Sequence, residues 1–272
     1  MSAPAPYQPT FLEKLVGKNY KWLYLLKYAF KQSNLKISSF LVFQIAVVLD
    51  FGITIFIWSL VNNSKQNITY FFIGFLIQRL VWTQFLLEFC GNIISGKIVN
   101  RLLQPTDFLA FTFFKELGNR VVPNLISASL IFTLLPFYAD KLLLPSFNFW
   151  LLFQVFLVFG FIIDFLISLM LGCVAFWNED FRHMTFLATV LIKVLSGLSI
   201  PFSYFSPFIA TILSYNPYSY LNYHLTQIYL GKYSNLEIFY FFLVGLAWCV
   251  ALYFLAKLVF KMGLKRNESV GL

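Results

Sequence analysis

The sequence predicts an all-α integral membrane protein whose chain crosses the bilayer six times. Of its 272 residues, 60% are hydrophobic and only 11% are charged, and the mean hydropathy is +0.76. Soluble domains usually carry about 25% charged residues. A chain of this size cannot bury so much apolar surface within itself, so lipid must replace water around it. The 35 phenylalanines and 15 tyrosines suit a surface that meets acyl chains and headgroups.

Six apolar segments are long enough to span the membrane, which takes about 20 residues of helix. A further segment, 205–230, is interrupted by Pro207 and Pro217. We expect it to be re-entrant or interfacial, because irregular backbone at membrane depth needs protein or water to satisfy its polar groups. The predicted spans are 37–62, 68–90, 120–138, 148–177, 184–201 and 237–260.

Basic residues near the span ends predict the orientation. Six lysines precede the first span, four basic residues lie between spans two and three, and three follow the sixth, against three lysines in the opposite loops. We therefore expect both termini and the 91–120 loop to be cytoplasmic. The membrane is expected to be the plasma or inner membrane. The net charge of +9 belongs to these loops, and we expect no nucleic-acid partner.

We predict one transmembrane domain over 1–272, made of a cytoplasmic N-terminus (1–36), a six-span bundle (37–260) and a cytoplasmic tail (261–272). Within the N-terminus, KWLYLLKYAFK (21–31) is amphipathic, with lysines on one side and apolar residues on the other. It is either a helix lying in the membrane interface or a charged flank that sets topology.

The stretch GNIISGKIVNRLLQP (91–105) has the spacing of a phosphate-binding loop, with Gly91, Gly96 and Lys97 at the positions of G-x-x-x-x-G-K. Such a loop needs a preceding β-strand and a Ser or Thr after the lysine to hold Mg²⁺. Here Ile98 follows the lysine, and the end of a membrane span precedes the loop. We therefore expect no nucleotide or other cofactor on this chain.

The same stretch is better interpreted as a short, basic, amphipathic helix over 94–104. Ile94, Ile98 and Leu102 recur every four residues, and Pro105 ends the helix because the residue before a proline avoids helical geometry. The helix is either an interfacial connector or a docking element that a cytoplasmic partner pushes or pulls. Val99 and Leu103 widen its apolar stripe, and its polar side carries Lys97, Asn100, Arg101 and Gln104.

Four charged residues fall near the middle of predicted spans. Each would cost roughly 2.5–3.5 kcal/mol in a lipid environment, so we expect them to face protein or water and to pair. They either fix helix packing or line a path that contacts substrate. The four are Asp50, Arg79, Asp164 and Lys193, and Glu88 extends this polar network toward the cytoplasmic end of span two.

Polar residues also interrupt the re-entrant segment on the expected outer side. Asn216, Pro217 and Tyr218 break the helix there, after an earlier interruption at Pro207. These residues either form an outer gate or belong to an aromatic belt at the interface.

Two stretches resemble the permease subunits of type-two ABC exporters. In that family the loop after span two has a Gly, a basic or polar residue, then Leu-Leu, a further residue and Pro. The run IISGKIVNRLLQPTDFLAF is similar, with Gly96, Lys97, Leu102, Leu103 and Pro105 at those places. The second stretch matches through Phe176, Trp177, Ser196, Gly197, Ile200, Pro201, Pro207, Pro217, Tyr218 and Gly231.

The resemblance implies six spans, an interfacial N-terminal helix, a cytoplasmic coupling helix and a re-entrant hairpin between spans five and six. It also implies that two permeases, identical or related, pair with two ABC ATPase subunits, which carry the ATP and Mg²⁺. The ATPase-coupling residues would be Gly96, Lys97, Asn100, Arg101, Leu102, Leu103 and Pro105. Gln104 departs from the Arg that often precedes the proline in relatives, which lowers the local positive charge.

Export of an amphipathic or hydrophobic cargo, such as a lipid, lipid-linked glycan, peptide or drug, is the leading interpretation, because the walls are apolar. This chain itself would not be an enzyme. One alternative is a polytopic membrane enzyme acting on lipid or lipid-linked substrates, for which Glu179, Asp180 and His183 form the local cluster. Another is a non-catalytic scaffold or channel that works without ATP.

Overall fold

The computed structural model describes residues 37–61, 64–81, 85–103, 107–118, 142–143, 147–178 and 181–268. All regular structure in those ranges is helical, which confirms the all-α class. Short 3₁₀ turns cover Cys173–Phe176, Phe202–Tyr204 and Pro217–Leu221. The helices are α1 (Ile37–Val61), α2 (Lys65–Val81), α3 (Phe85–Ile94), α4 (Ile98–Leu102), α5 (108–118), α6 (Phe147–Gly172), α7 (Phe181–Leu195), α8 (Pro207–Tyr215), α9 (Tyr223–Tyr229) and α10 (Asn235–Glu268).

Three helical segments in the described ranges are long and apolar enough to cross a membrane: Lys65–Ile94, Trp150–Phe176 and Asn235–Arg266. They coincide with predicted spans two, four and six. Helix α1 has the limits expected for span one to within a residue. The predicted span 120–138 and the predicted interfacial helix 21–31 lie outside the described residues.

The prediction of span five was wrong at its C-terminal end. Helix α7 has 15 residues and stops at Leu195, whereas the sequence indicated a helix to 201. It is about 22 Å long, less than the roughly 30 Å of a hydrocarbon core. Gly197, at φ +75°, ends it with a left-handed turn that side-chain-bearing residues disfavour, and Ser199 N–H donates to the Lys193 carbonyl at 3.1 Å.

Local capping explains where other helices begin. Ser234 and Glu237 form a capping box at the start of α10, since the Ser234 N–H donates to the Glu237 carboxylate at 2.8 Å and the Glu237 N–H donates to Ser234 Oγ at 3.3 Å. At α5, the Ala110 N–H donates to the Asp107 carboxylate at 2.8 Å. Helix α10 continues to Glu268, so most of the predicted 261–272 tail extends this helix.

Helix α6 is the centre of the described bundle. It contacts α2, α3, α9, α10 and the Pro217–Leu221 turn. Its Phe156, Ile163 and Leu169 are among the most deeply buried side chains. Helix α1 packs on α2, and α7 contacts α3 and the Pro217–Leu221 turn, so α1 and α7 lie toward the outside of the described bundle.

The 217–229 segment, which joins the Pro217–Leu221 turn to α9, is buried although it is rich in polar residues. Helix α8 just before it exposes Phe208 and Ile212, whereas Tyr220 and His224 are fully buried. Three glycines on three helices make this close approach possible. A Cβ atom would meet Asn222 Oδ1 at Gly74, the Tyr220 carbonyl at Gly160 and the Tyr220 ring at Gly245, each at 2.7 Å.

We predict that Gly160→Ala destabilises the protein, because the new methyl group would meet a backbone oxygen of Tyr220, which cannot rotate away. The expected loss is about 1–3 kcal/mol of unfolding free energy, measured by titration with SDS from mild detergent. Gly52→Ala on α1 is the control, since nothing lies within 4 Å of its Cβ position. Equal stability of the two variants would contradict the close packing at Gly160.

Candidate functional site

Polar and charged side chains gather at two ends of the bundle. One end is marked by Phe260 of α10, which contacts Phe108 and Phe176. The other is marked by Phe241 of α10, whose backbone carbonyl accepts a hydrogen bond from the Tyr220 hydroxyl. Because Phe241 and Phe260 lie on one continuous helix, these ends are about 28 Å apart. We call them the Phe260 end and the Phe241 end.

A charged cluster lies at the Phe260 end, formed by Glu88, Arg101, Lys115 and Glu116. Lys115 Nζ lies 2.9 Å from Glu88 Oε1 and forms an ion pair between α5 and α3. Arg101 of α4 interacts electrostatically with both Glu88 and the buried Glu116. Burial lowers the pKa of the Arg101 guanidinium, and the two carboxylates oppose that shift. The cluster thus ties α4 to the helices on either side of it.

Helix α4 differs from the predicted coupling helix. The expectation of one helix from Ile94 was wrong, because α3 ends at Ile94 and α4 covers only Ile98–Leu102. Gly96 separates them at φ +71°, and its N–H donates to the Ile93 carbonyl at 3.0 Å. Of the predicted apolar stripe, Ile98 is buried, whereas Leu102 and Leu103 are 38% and 78% exposed.

The other predicted residues of this segment remain at the surface. Lys97 and Asn100 are exposed, and Pro105 lies outside the described residues. The result is a short turn of helix that presents two leucines outward and directs Arg101 toward the charged cluster.

Aromatic contacts join the Phe260 end to the long helices. Phe108 of α5 stacks on Phe260 of α10, with ring centroids 4.5 Å apart and planes at 10°. Phe89 of α3 and Phe176 after α6 also contact Phe260, at 6.4 and 6.2 Å. Gly172 lies so close to Phe89 that a Cβ there would come within 2.5 Å of its ring. Helices α3, α5 and α10 therefore meet in one aromatic contact.

The charges predicted near the middle of spans lie in more than one place, and Lys193 falls in the last turn of α7 rather than near its middle. Lys193 Nζ of α7 lies 4.0 Å from Asp50 Oδ2 of α1. Arg79 interacts electrostatically with Asp50, and its guanidinium lies 5.5 Å from the centre of the Phe75 ring. Asp164 is buried and interacts with Tyr218. The structure therefore brings Asp50, Arg79 and Lys193 together and pairs Glu88 with Lys115.

The Phe241 end contains a network of buried hydrogen bonds. Tyr70 Oη donates to the Gly197 carbonyl at 2.6 Å and accepts from Asn222 Nδ2 at 3.3 Å. His224 Nε2 lies 2.8 Å from the Ser214 carbonyl, and its Nδ1 lies 2.9 Å from Tyr233 Oη. Because a carbonyl can only accept, Nε2 carries a proton. Both ring nitrogens of this fully buried side chain are therefore held by contacts within the protein.

The predicted gate residues lie around this network. Asn216 Nδ2 donates to the Leu195 carbonyl at 3.1 Å, linking the 217–229 segment to the end of α7. Pro207 begins α8 and is exposed, whereas Pro217 and Tyr218 are partly buried. Tyr70 was missed from the sequence because it lies within an apolar run. Asn222 and His224 belong to the interrupted 205–230 segment, but the sequence did not single them out as site residues.

No group of three metal-ligating side chains occurs among the residues that the structure describes. The cluster on which the enzyme alternative depends lies outside them, since Glu179 and Asp180 are not described and neither is the side chain of His183. Cys90 and Cys173 are buried free thiols.

Three long apolar helices, charged residues within helices and a buried polar segment are the features of a polytopic membrane protein. The model of a family described as ABC-2 family transporter protein matches residues 63–271. The chain therefore belongs to the ABC-2 transporter family and is a permease component of an ABC transporter. Members are generally non-catalytic transmembrane subunits that associate with an ABC ATPase. A search of curated proteins finds no significant match.

We predict that Tyr70→Phe destabilises the protein, because it leaves the buried Gly197 carbonyl without its donor. The expected loss is about 1–3 kcal/mol of unfolding free energy. Tyr204→Phe is the control, since that side chain is 46% exposed, and it should change stability by less than about 0.5 kcal/mol. A Tyr70→Phe variant as stable as this control would show that the hydrogen bond from Tyr70 to the Gly197 carbonyl contributes nothing to stability.

A double-mutant cycle tests the Glu88–Lys115 ion pair. We expect Glu88→Gln and Lys115→Met to show a coupling energy of about 1 kcal/mol in unfolding free energy, because the pair is only partly screened by solvent. The same cycle with Lys97→Met in place of Lys115→Met should give coupling close to zero, since Lys97 is exposed. Additive effects at Glu88 and Lys115 would argue against a formed pair.

Proposed function

We propose that this chain is the transmembrane subunit of an ABC exporter, in which a separate ATPase acts on α4 and its flanking turns. In this proposal the chain has six spans, both termini and the Phe260 end are cytoplasmic, and the protein lies in the plasma or inner membrane. Residues 1–272 then act as one transmembrane domain. Two ATPase copies and a second permease, identical or related, complete the transporter.

The observation that carries this proposal is the exposure of Leu102 and Leu103 beside a fixed Arg101. Exposed leucines at the end of a short helix cost free energy in water, and burial against a partner recovers it. Lys97 and Asn100 add a polar rim to the same surface. An apolar centre with a polar rim is the usual composition of a protein interface.

Contacts at the Phe260 end offer a route by which motion of α4 reaches the spans. Arg101 interacts with Glu88 on α3 and with Glu116 on α5. Helix α5 in turn stacks on α10 through Phe108 and Phe260. Because side chains in a packed interior do not compress, a displacement of α4 would move α3 and α10 with it.

The ATPase supplies the free energy in this mechanism. A bound ligand shifts a conformational equilibrium only through its different affinity for the two states, so ATP bound between the partner subunits would favour one state of the permease. ATP and Mg²⁺ remain on the partner, and the work of this chain is to bind, hold and release cargo.

We assign the 217–229 segment the role of an outer re-entrant gate, with Asn216, Pro217 and Tyr218 at its start and Pro207 at the base of α8. Its burial against α2, α6 and α10 supports this role, because the segment would close the path until those helices separate. The cargo is amphipathic or hydrophobic, in keeping with the apolar surfaces of α1 and α7.

Aspartate substitutions test the docking surface. We expect Leu102→Asp with Leu103→Asp to reduce co-purification with the cognate ATPase at least about tenfold, because two charges would have to be desolvated at the interface. The matched control is Leu236→Asp, which changes a leucine that is 82% exposed near the Phe241 end.

The control should assemble as the unsubstituted chain does. If the double variant is folded, as judged by its melting temperature, yet retains full assembly and ATP-dependent transport, then α4 is not the docking site. If Leu236→Asp alone abolishes assembly, the ATPase binds the opposite end and the proposed orientation is reversed.

A further inference from the structure

Three lysines form a stripe at the Phe260 end of α10, on the face that points away from the bundle. Lys257, Lys261 and Lys265 follow one another at intervals of four residues and are all exposed. Residues four apart are neighbours on one face of a helix. Ala256 and Phe260, on the opposite face of the same turns, are buried in the hydrophobic core. We call this exposed stripe the lysine face.

The lysine face has no carboxylate close to it on α10. Glu237 and Glu268, at the two ends of the helix, are its acidic residues. Lys257 and Lys261 are therefore more than four residues from any acidic residue of their own helix, which is the reach of an ion pair along a helix. Their positive charge is available to a ligand that approaches from outside the bundle.

The uncharged part of α10 has a length that places the first lysine at the edge of the hydrocarbon layer. Residues 238–256 carry no charge and are about 28 Å long, and a hydrocarbon core is about 30 Å thick. Glu237 borders one end of this run and Lys257 the other. Lys257 therefore lies where acyl chains meet headgroups, and Lys261, about 6 Å farther along the helix, lies among the headgroups.

An exposed apolar stripe leads up to the lysines along the same face of α10. Leu243, Val250 and Phe254 precede Lys261 by 18, 11 and 7 residues, which are close to whole numbers of helical turns. All three apolar side chains are exposed, and so is Leu258 beside the lysines. A long apolar stripe that ends in positive charge is complementary to a lipid with hydrocarbon chains and an anionic headgroup.

An exposed tryptophan marks the membrane interface at the same level of the helix. A Cβ atom at Gly263, two residues after Lys261, would overlap the Phe176 ring, and Phe176 also contacts Phe260. The next residue, Trp177, is 47% exposed. Exposed tryptophans are typical of the layer between hydrocarbon and water. The length of α10 and the position of Trp177 thus indicate the same boundary independently.

We propose that the lysine face is a binding site for an anionic phospholipid, in which Lys257 and Lys261 hold the headgroup and the stripe from Leu243 to Phe254 lies along an acyl chain. The lysine stems lie against apolar neighbours while their ammonium groups reach the headgroup. Lys265, one turn farther on, adds positive charge on the water side. The site does not depend on the proposed export function, and only its assignment to the cytoplasmic leaflet rests on it.

The first experiment uses the complete chain in mild detergent with equal amounts of dioleoyl phosphatidylglycerol and dioleoyl phosphatidylcholine. Native mass spectrometry measures the ratio of the two bound lipids, whose acyl chains are identical. We expect bound phosphatidylglycerol to exceed bound phosphatidylcholine about tenfold, because each lysine near a headgroup layer favours anionic lipid severalfold. Equal occupancy, or a preference for phosphatidylcholine, would overturn the proposal.

Paired substitutions locate the site. Lys257→Gln with Lys261→Gln should bring the lipid ratio to within about twofold of one, whereas Lys257→Arg with Lys261→Arg should preserve the tenfold preference. The matched control is Lys65→Gln with Lys232→Gln, which removes two exposed lysines away from the lysine face and should leave the ratio unchanged. A ratio that falls equally in the control would assign the preference to net charge and overturn the site.

Melting temperatures in phosphatidylcholine nanodiscs establish that each variant is folded. If the paired glutamine variant does not fold, the single variant Lys261→Gln decides, with an expected loss of about threefold in the lipid ratio. Lysines that serve only the negative end of the helix dipole predict a different result. In that case the glutamine variants melt earlier in both lipids and keep the lipid ratio of the unsubstituted chain, which would overturn the proposal.

Two further measurements separate the phospholipid from other occupants of this face. Glycerol 3-phosphate has the phosphate without the acyl chains, so an excess of it should not displace bound phosphatidylglycerol, and displacement would assign the lysines to a soluble anion. A Phe254→Cys variant should form no disulfide between two copies of the chain under mild oxidation, with the unsubstituted chain as the control. Cross-linking would assign the face to a second permease.

The outcome for the lipid site is distinguishable from the outcome for the export function. Binding of the cognate ATPase is measured on the same samples. If the chain selects phosphatidylglycerol but never binds an ATPase, the export function fails and the lipid site stands. If the complex assembles and transports but shows no preference between the two lipids, the lipid site fails and the export function stands.

Discussion

The close approach of the 217–229 segment to its neighbours is the constraint on which the rest of the structure depends. A polar segment that is buried among apolar helices must find its hydrogen-bond partners within the protein. Gly74, Gly160 and Gly245 allow three helices to come close enough to supply them. Tyr70 and Phe241 then provide specific contacts, to Asn222 and Tyr220 respectively. The helices are thereby arranged around a polar interior that hydrocarbon alone could not stabilise.

The two ends of the molecule differ in how they are held together. At the Phe241 end, hydrogen bonds from Tyr220 and His224 to backbone carbonyls hold the 217–229 segment in position. At the Phe260 end, stacked rings and ion pairs dominate. Ring contacts tolerate small displacements better than short hydrogen bonds do, which suits the partner-driven motion that we propose for this end. Helix α10 connects the two ends without a break, so it can couple them.

Sequence patterns predicted the membrane class and the places of three long apolar helices, at spans two, four and six, because hydropathy reports directly on the surrounding solvent. They failed where a single glycine decided the geometry. Gly96 divides the predicted coupling helix, and Gly197 ends α7 six residues before the expected limit of 201. In both cases the apolar periodicity of the sequence continues past the glycine, so this periodicity did not indicate that the helix ends there. The predicted network of charges is divided, because Asp50 meets Lys193 and Arg79 whereas Glu88 pairs with Lys115 of α5 rather than with another charge of the network.

Composition and the distribution of apolar runs determined by themselves that this chain is a helical membrane protein with a basic loop after its second span. These features follow from the free energy of transferring residues to lipid, which depends on local sequence alone. Only the tertiary structure decided that Arg101 faces Glu88 and Glu116 while Leu103 faces outward, and that Asp50 meets Lys193. The physical reason is that these pairings join residues far apart in the chain, and helix packing rather than local periodicity sets which faces come together.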